Sequence, residues 1–366
     1  MKGVVFTGNR TLEIRDFADP TPGPRDVILE IKASGMCGSD LHRYRAEFTP
    51  GDTSSGFAMG DEPMIAGHEP CGVVAELGSA VSKDECFIGQ RVMDHHYEGC
   101  GTCKHCKGGW QQMCLDGTTV FGSSGHGAHA KYMRVPVSTL VPLPDNLSFT
   151  TGAAISCGTG TAYGALRRLK IQGGETIAIF GQGPVGLSAT QLAKAMGARV
   201  LALDISNERL ELAKYFGADE LINSNEQDPI SAIKDLTNGE GAHKTLEASS
   251  APSARKAAVQ TVRSWGIACF VGERGEVTLD VSPDLLRRQV TLVGSWTFST
   301  QGQSECAEFV AENKIDVEKL FTDTWSLDDA KEAYEKFDKQ TSGKGCLLYT
   351  SPSPRDGCRS RMPSSA

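Results

Sequence analysis

The sequence of 366 residues lacks any apolar run long enough to cross a bilayer, for which about 20 consecutive apolar residues are needed. Its N-terminus lacks the sustained apolar stretch and cleavage site of a secretory signal. No long block of like charge is present, and a net charge of −8 argues against nucleic acid or anionic membranes as partners. These absences predict a cytoplasmic protein that binds neither nucleic acid nor membrane.

The composition is that of an ordinary globular protein, and the pattern of the chain changes along its length. Residues 1–155 contain short apolar or alternating runs separated by Gly, Pro and Asp, which indicates a β-rich region. From about Gly173, strand-like and helix-like stretches alternate, which predicts an α/β, doubly wound parallel sheet in a second domain. Its six predicted strands are Thr176–Phe180, Arg199–Asp204, Glu220–Asn223, Lys244–Ala248, Ile267–Val271 and Val290–Gly294.

The last part of the chain departs from this alternation. Residues 303–314 and 328–339 have apolar side chains at helical spacing, and we expect these two helices to pack on the first domain. Residues 346–366 are rich in Ser, Pro and Arg without apolar periodicity, which predicts a disordered tail. The end of this tail resembles cloning or adapter sequence, which suggests that it is not native.

Four cysteines lie close together in the first part of the chain, with the spacing C-x2-C-x2-C-x7-C. Four thiolates at this spacing can converge on one tetrahedral zinc ion, with Zn–S bonds of about 2.3 Å. The surrounding loop has almost no apolar content, so a metal would have to organise it. A disulfide or redox role needs an oxidising compartment and stays the alternative. The predicted structural zinc ligands are Cys100, Cys103, Cys106 and Cys114.

A glycine-rich turn follows the first predicted strand of the parallel sheet. Gly181, Gly183 and Gly186 form G-x-G-x-x-G, and Pro184 and Val185 lie between the last two glycines, where a helix opens. The first glycine permits a tight turn, the second admits a pyrophosphate, and the third allows close packing of helix on strand. The helix N-terminus offers oriented N–H groups to phosphate. This pattern predicts a dinucleotide site.

Two residues bear on which dinucleotide binds. Asp204 ends the next predicted strand, where a carboxylate accepts hydrogen bonds from the adenosine ribose and repels a 2′-phosphate. This favours NAD over NADP. Arg209 could also reach the ribose, although a role as a solvated helix residue is an equal alternative.

Three separated residues could form a second zinc site. Cys37 lies in Cys-Gly-Ser-Asp-Leu-His, His68 in Gly-His-Glu, and Cys157 just before the second domain. Two thiolates and one imidazole would leave a fourth position for water or substrate, as in catalytic zinc sites. The long separations do not establish this constellation, because a single Cys or His is more often a core residue.

Taken with the four-cysteine loop and the glycine-rich turn, these motifs resemble the zinc-dependent medium-chain dehydrogenases of alcohol dehydrogenase type over residues 1–345. The resemblance implies a GroES-like catalytic domain (1–157 and 298–345, with a zinc lobe at about 95–116) and a Rossmann NAD-binding domain (158–297). It also implies a homodimer or homotetramer, with Val290–Phe298 as a candidate edge strand.

The resemblance assigns roles to individual residues. Cys37, His68 and Cys157 would bind a catalytic zinc, which makes two zinc ions per chain with the structural one. Asp40 would orient His68, Ser39 and His42 would conduct the proton from the alcohol to solvent, and Thr161 would pack against the nicotinamide. Glu69 would lie beside the zinc and assist ligand exchange, with a buried structural carboxylate as the alternative.

The implied function is reversible hydride transfer from a primary or secondary alcohol to NAD. Gly38 instead resembles the polyol and threonine dehydrogenase branches, while Cys157 and the four-cysteine loop resemble the alcohol dehydrogenase branch. The enzymatic alternative is therefore a polyol or threonine-type dehydrogenase. A zinc-stabilised NAD-binding sensor is the non-enzymatic alternative, which the complete set of ligand and relay residues disfavours.

Overall fold

The computed structural model describes residues 1–51, 62–339 and 343–349. None of the helices in these ranges is both long and apolar enough to cross a membrane. The strands are β1 (Lys2–Gly8), β2 (Thr11–Asp16), β3 (Asp26–Gly35), β4 (Glu69–Leu77), β5 (Arg91–Asp94), β6 (Tyr97–Glu98), β7 (Thr119–Val120), β8 (Tyr132–Pro136), β9 (Leu140–Pro142), β10 (Thr176–Phe180), β11 (Arg199–Asp204), β12 (Glu220–Asn223), β13 (Ala242–Glu247), β14 (Val262–Phe270), β15 (Thr291–Gly294), β16 (Phe321–Trp325) and β17 (Lys344–Leu348). The α-helices are α1 (Gly38–Arg45), α2 (Lys104–Lys107), α3 (Phe149–Ile155), α4 (Gly158–Leu169), α5 (Pro184–Ala195), α6 (Asn207–Tyr215), α7 (Pro229–Leu236), α8 (Pro252–Thr261), α9 (Val281–Asp284), α10 (Thr300–Glu312) and α11 (Ala330–Asp338).

The predicted doubly wound sheet is confirmed. Six parallel strands lie in the order β12-β11-β10-β13-β14-β15. From β10 the chain adds β11 and β12 on one side, and it then returns to add β13 on the other side of β10. Alternate side chains of β10 point to opposite faces: Ile177 and Ile179 pack in the cluster that includes Leu192 of α5, whereas Phe180 packs with Ile233 of α7. Both faces of β10 are thus buried, which explains why this strand reads as a continuous apolar run.

The β-rich part of the chain forms a second sheet with the path β16-β17-β3-β4-β5-β9, and β8 also pairs with β3. The pairing of β3 with β4 is antiparallel, and β16 and β17 are parallel. The last two strands were not predicted. They place the C-terminal part of the chain beside β3, next to the residues that follow β3 in the sequence.

The two predicted C-terminal helices are confirmed as α10 and α11. Helix α11 packs on β16 and β17, and α10 packs on β9 and α3 of the first domain, as expected, and also on α4. The predicted start of the tail at residue 346 is wrong, because Cys346, Leu347 and Leu348 belong to β17 and pair with β3. A strand buried on both sides needs its backbone groups paired, which fixes these residues in the sheet. Residues 350–366 lie outside the described part of the chain.

Candidate metal and cofactor sites

Three chain segments converge on the predicted catalytic zinc site. Cys37 precedes α1, His68 precedes β4, and Cys157 precedes α4. Their ligand atoms, together with a carboxylate oxygen of Glu69, all lie within 4.8 Å of one another. The structure therefore brings together residues that are up to 120 positions apart in the chain.

A buried carboxylate orients the histidine of this cluster. Asp40 is fully buried, and its Oδ1 lies 2.8 Å from His68 Nδ1 while its Oδ2 accepts the main-chain N–H of Cys37 at 2.9 Å. One aspartate thus fixes both the loop that carries Cys37 and the ring of His68. With a proton on Nδ1, Nε2 is left to bind a metal, as in carboxylate–histidine–zinc sites.

The donor set and its spacing fit a zinc ion. The sulfur atoms of Cys37 and Cys157 are 3.9 Å apart, close to the separation of about 3.8 Å that two Zn–S bonds of 2.3 Å make at a tetrahedral angle. The hydrogen bond from the Cys157 thiol holds the pKa of Cys37 well below its ordinary value. A thiolate here is the form that a metal binds.

The two predicted relay residues lie on α1 beside the cluster. Ser39 Oγ is 3.1 Å from His68 Nε2, on the side of the ring that faces the metal ligands. His42 lies one helical turn further and is exposed. Partial desolvation, followed by the positive charge of Arg274, lowers the pKa of His42 from its ordinary value of 6.5. The two residues therefore lead from the buried cluster towards solvent.

Glu69 lies beside the cluster and is paired with a buried lysine. Glu69 is fully buried, and its Oε1 accepts a hydrogen bond of 2.6 Å from Nζ of Lys344, which is also buried. Lys344 is not among the predicted site residues, because it lies about 300 residues from Cys37 in a strand that was not predicted. A lysine at the start of the apolar run Lys-Gly-Cys-Leu-Leu was the one available signal.

The four predicted structural ligands also converge, with all four sulfur atoms within 4.8 Å of one another. Cys103 and Cys106 have their sulfurs 3.5 Å apart, too far for a disulfide bond of about 2.05 Å. Main-chain N–H groups, first that of Cys106, lower the pKa of Cys103 to about 6, whereas burial raises that of Cys106 to about 12. A bound cation would offset the cost of ionising the buried thiol, so the set fits zinc.

Each glycine of the G-x-G-x-x-G turn meets its predicted requirement. Gly181 has φ +92°, a conformation that favours glycine. A Cβ on Gly183 would meet no atom within 4 Å, so open space lies above that backbone position. A Cβ on Gly186 would lie 1.8 Å from the oxygen of Gly181, so helix and strand could not pack. Pro184 and Val185 occupy the first turn of α5.

Asp204 ends β11 beside this turn and is nearly buried. Its carboxylate accepts main-chain N–H groups of Gln182 at 2.6 Å, Ile205 at 2.8 Å and Ser206 at 3.0 Å. Arg209 Nη1 lies 3.9 Å from the same carboxylate, at the outer limit of an ion pair. The acidic group is thus held rigidly at the carboxyl edge of the sheet, where dinucleotides bind in such folds.

Thr161 and His96 complete the surroundings. Thr161 lies in α4, one turn after Cys157, and is buried. The ring of His96 lies 5.1 Å from that of His68, with its Nδ1 3.0 Å from the oxygen of Ser156. No spacing motif singles out His96, which follows β5 and packs behind the cluster. Burial holds its pKa well below 6.5, so the ring stays neutral there.

Comparison with known proteins follows the same division of the chain. Residues 23–145 match the family described as "Alcohol dehydrogenase GroES-like domain", and residues 184–313 match "Zinc-binding dehydrogenase". The chain is 35% identical over 360 residues to the uncharacterized zinc-type alcohol dehydrogenase-like protein YphC of Escherichia coli (strain K12), covering 95% of this chain and 99% of that protein.

Two further proteins are similar over nearly their whole length. Sorbitol dehydrogenase of Bacillus subtilis (strain 168) is 34% identical over 339 residues, covering 92% of this chain and 93% of that protein. Among solved structures, alcohol dehydrogenase TADH from Thermus sp. ATN1 superposes with a TM-score of 0.85 at 28% identity, covering 95% of this chain and 99% of that one.

Proposed function

The chain belongs to the zinc-dependent medium-chain dehydrogenase/reductase family of alcohol dehydrogenase type, and we propose that it transfers hydride from a primary or secondary alcohol to NAD. The observation that carries the proposal is that the donor atoms of Cys37, His68 and Cys157 lie within 4.8 Å of one another. Three protein ligands leave a position for the alcohol, which four ligands would not.

The residues of this chain have distinct tasks in the proposed reaction. Cys37, His68 and Cys157 would hold zinc, which when bound polarises the alcohol oxygen and makes the alkoxide accessible near neutral pH. Asp40 orients His68, while Ser39 and then His42 receive the alcohol proton and pass it to solvent. Thr161 would limit the position of the nicotinamide ring, so that hydride donor and acceptor stay in contact.

NAD as the cofactor is the second part of the proposal. The open backbone at Gly183 would receive the pyrophosphate at the N-terminus of α5, and Asp204 would accept the ribose hydroxyls. Arg209 could contribute to binding of the ribose, because its Nη1 lies 3.9 Å from the carboxylate of Asp204. A structural zinc ion at the four clustered cysteines is also part of this proposal. The predicted domain bounds are part of it as well.

A substrate panel tests the proposal directly. Ethanol, 2-butanol, sorbitol and threonine are each offered with NAD and with NADP, and nicotinamide reduction is followed by absorbance. We expect the highest kcat/KM with ethanol or 2-butanol and NAD. Turnover of sorbitol or threonine alone would favour the second candidate, a polyol or threonine-type dehydrogenase. The similarity to a sorbitol dehydrogenase and Gly38 both support that candidate.

Asp204→Asn should relax the choice between NAD and NADP. The amide oxygen still accepts the N–H groups of Ile205 and Ser206, whereas the hydrogen bond from the Gln182 N–H is lost. The substitution also removes the charge that would repel a 2′-phosphate. We expect the ratio of kcat/KM for NAD over NADP to fall about tenfold, equal to about 1.4 kcal/mol. The control Asp235→Asn, on the exposed face of α7, should leave the ratio unchanged. An unchanged ratio in Asp204→Asn would contradict the role of the carboxylate.

His42→Gln should change the pH dependence of alcohol oxidation. Neutral His42 accepts the proton, and its lowered pKa keeps it neutral at pH 7, so kcat/KM should fall as the pH drops below 6.5. In His42→Gln this acid limb disappears, and kcat at pH 7 falls about tenfold. His243→Gln, whose histidine accepts the N–H of Thr176 in the other domain, should retain the limb. A persistent limb in His42→Gln would assign it to another group.

We also propose assembly through the edge of the parallel sheet. The edge strand β15 leaves Leu292 partly exposed, although the strand is apolar. An exposed apolar edge favours pairing with a second copy, which would give a homodimer or, with a further interface, a homotetramer.

A further inference from the structure

The buried lysine of β17 contacts the chain beside two of the predicted zinc ligands and lies close to the chain beside the third. Lys344 Nζ donates to the main-chain oxygen of Met36 at 3.0 Å and to Glu69 Oε1 at 2.6 Å. A Cβ on Gly158 would lie 3.8 Å from the same nitrogen. These three residues adjoin Cys37, His68 and Cys157 in the sequence. One ammonium group therefore lies behind the whole donor set.

Glu69 makes the number of metal ligands ambiguous. One of its carboxylate oxygens lies within 4.8 Å of the donor atoms of Cys37, His68 and Cys157, so it could serve as a fourth ligand. Gly35 leaves the space for this carboxylate, because a Cβ there would lie 1.9 Å from Glu69 Oε2. Four protein ligands would close the site and exclude the alcohol, whereas three leave a position free.

The ion pair with Lys344 settles which arrangement is stable. Glu69 Oε2 lies 2.5 Å from Lys344 Nζ, and both side chains are almost completely excluded from solvent. A buried charge without its partner is strongly unfavourable, so moving Glu69 to the metal would leave Lys344 uncompensated. The ammonium thus opposes coordination by the carboxylate.

We infer that Lys344 is a positioning residue that retains Glu69 in an ion pair and so reserves the fourth position of the metal site for substrate. The inference rests on the proposed zinc-dependent function and adds a residue from the C-terminal strand to the site. The pairing of Cys346 with Gly35 is what brings Lys344, two residues earlier in β17, to Met36 and Glu69.

The test compares Lys344→Met with the double variant Lys344→Met/Glu69→Gln in the full-length holoenzyme. Without the ammonium, Glu69 should bind the metal. We expect kcat to fall about 100-fold, metal release to a chelator to slow about tenfold, and the visible absorption of the cobalt(II)-substituted protein to change. In the double variant, which has no carboxylate, the release rate and cobalt spectrum should return to those of the wild type. Lys344→Arg should resemble the wild type.

Control variants keep the result interpretable. Lys244→Met removes a partly buried lysine that pairs with Glu175 at 3.5 Å in the other sheet, and it should change neither metal release nor kcat. Faster metal loss in Lys344→Met that Glu69→Gln does not suppress would overturn the inference in favour of a purely structural lysine. If Lys344→Met does not fold, Glu69→Gln alone decides: an altered cobalt spectrum would show that Glu69 is already a ligand.

The metal readouts also separate this inference from the proposed function. If the wild type oxidises none of the alcohols tested, the proposed function is wrong and the kcat values cannot be compared. Metal release and the cobalt spectrum still report whether Lys344 keeps Glu69 from the metal.

Discussion

Cys157→Ala should reduce alcohol oxidation by at least about a thousandfold, equivalent to roughly 4 kcal/mol of transition-state stabilisation. In the proposed site this residue would supply one of the two zinc-binding thiolates, and its sulfur lies 3.9 Å from that of Cys37. With one thiolate and His68 remaining, metal affinity at this site should collapse, because two protein ligands do not hold a catalytic zinc. Metal analysis should therefore fall from about two zinc ions per chain to about one.

The loss should be specific to the ligand rather than to a buried sulfur atom. Cys306 offers a matched control, since it is also fully buried and its sulfur lies 3.9 Å from the oxygen of Thr159, outside both metal clusters. Cys306→Ala should cost on the order of 1 kcal/mol of stability and keep both metal ions and turnover. Full turnover in Cys157→Ala would refute the assignment of the catalytic metal site.

The parallel sheet was predictable because its determinants are local. Each strand of the sheet carries its own apolar run, and G-x-G-x-x-G combines a positive φ at Gly181 with a close approach at Gly186. Three predicted strands, β10, β11 and β12, agree with the structure residue for residue. A short apolar run bounded by turn residues was enough for β10 and β11, whose side chains are buried along almost their whole length.

The predicted metal ligands depended on the resemblance, since their distance in the chain hides their distance in space. Local spacing predicted the four-cysteine loop, but Cys37, His68 and Cys157 meet through the sheet pairing of β3 with β4 and the start of α4. Neither local spacing nor the resemblance predicted Lys344. Its ion pair with Glu69 depends on β17 pairing with β3 across about 300 residues, and short apolar strands of this kind carry little periodic signal.

The positions of Glu69 and His96 show a related limit. The resemblance implies that Glu69 lies beside the zinc but leaves a buried structural carboxylate as the alternative, and no pattern in the sequence distinguishes the buried His96 from a surface histidine. The structure separates them through burial and partners: Glu69 contacts Lys344, and His96 contacts Ser156 and the ring of His68. The surroundings of the predicted ligands therefore depend on packing between segments that are far apart in the chain.

Cys106→Ser should destabilise the protein strongly before it affects catalysis. Cys106 is the most buried of the four clustered cysteines, and its sulfur fills the space that a Cβ on Gly99 would enter at 2.5 Å. A structural zinc site supplies about 10–16 kcal/mol of apparent binding energy, so losing one thiolate should remove several kcal/mol. We expect the thermal midpoint to fall by roughly 5–10 °C, measured by calorimetry with metal analysis of the same samples.

The order in which stability and turnover are lost distinguishes a structural zinc lobe from a catalytic one. The lobe holds the segment that leads into α10, because Gly109 accepts the N–H of Thr300 at 3.0 Å and the Gln112 side chain donates to the oxygen of Phe298 at 2.8 Å. Well below its midpoint, Cys106→Ser should keep kcat within about threefold of the wild type, and inactivation on warming should accompany unfolding. Cys86→Ala, a buried cysteine outside both clusters, should keep all the zinc. A kcat that falls at low temperature without unfolding would instead place the four-cysteine zinc in the reaction itself.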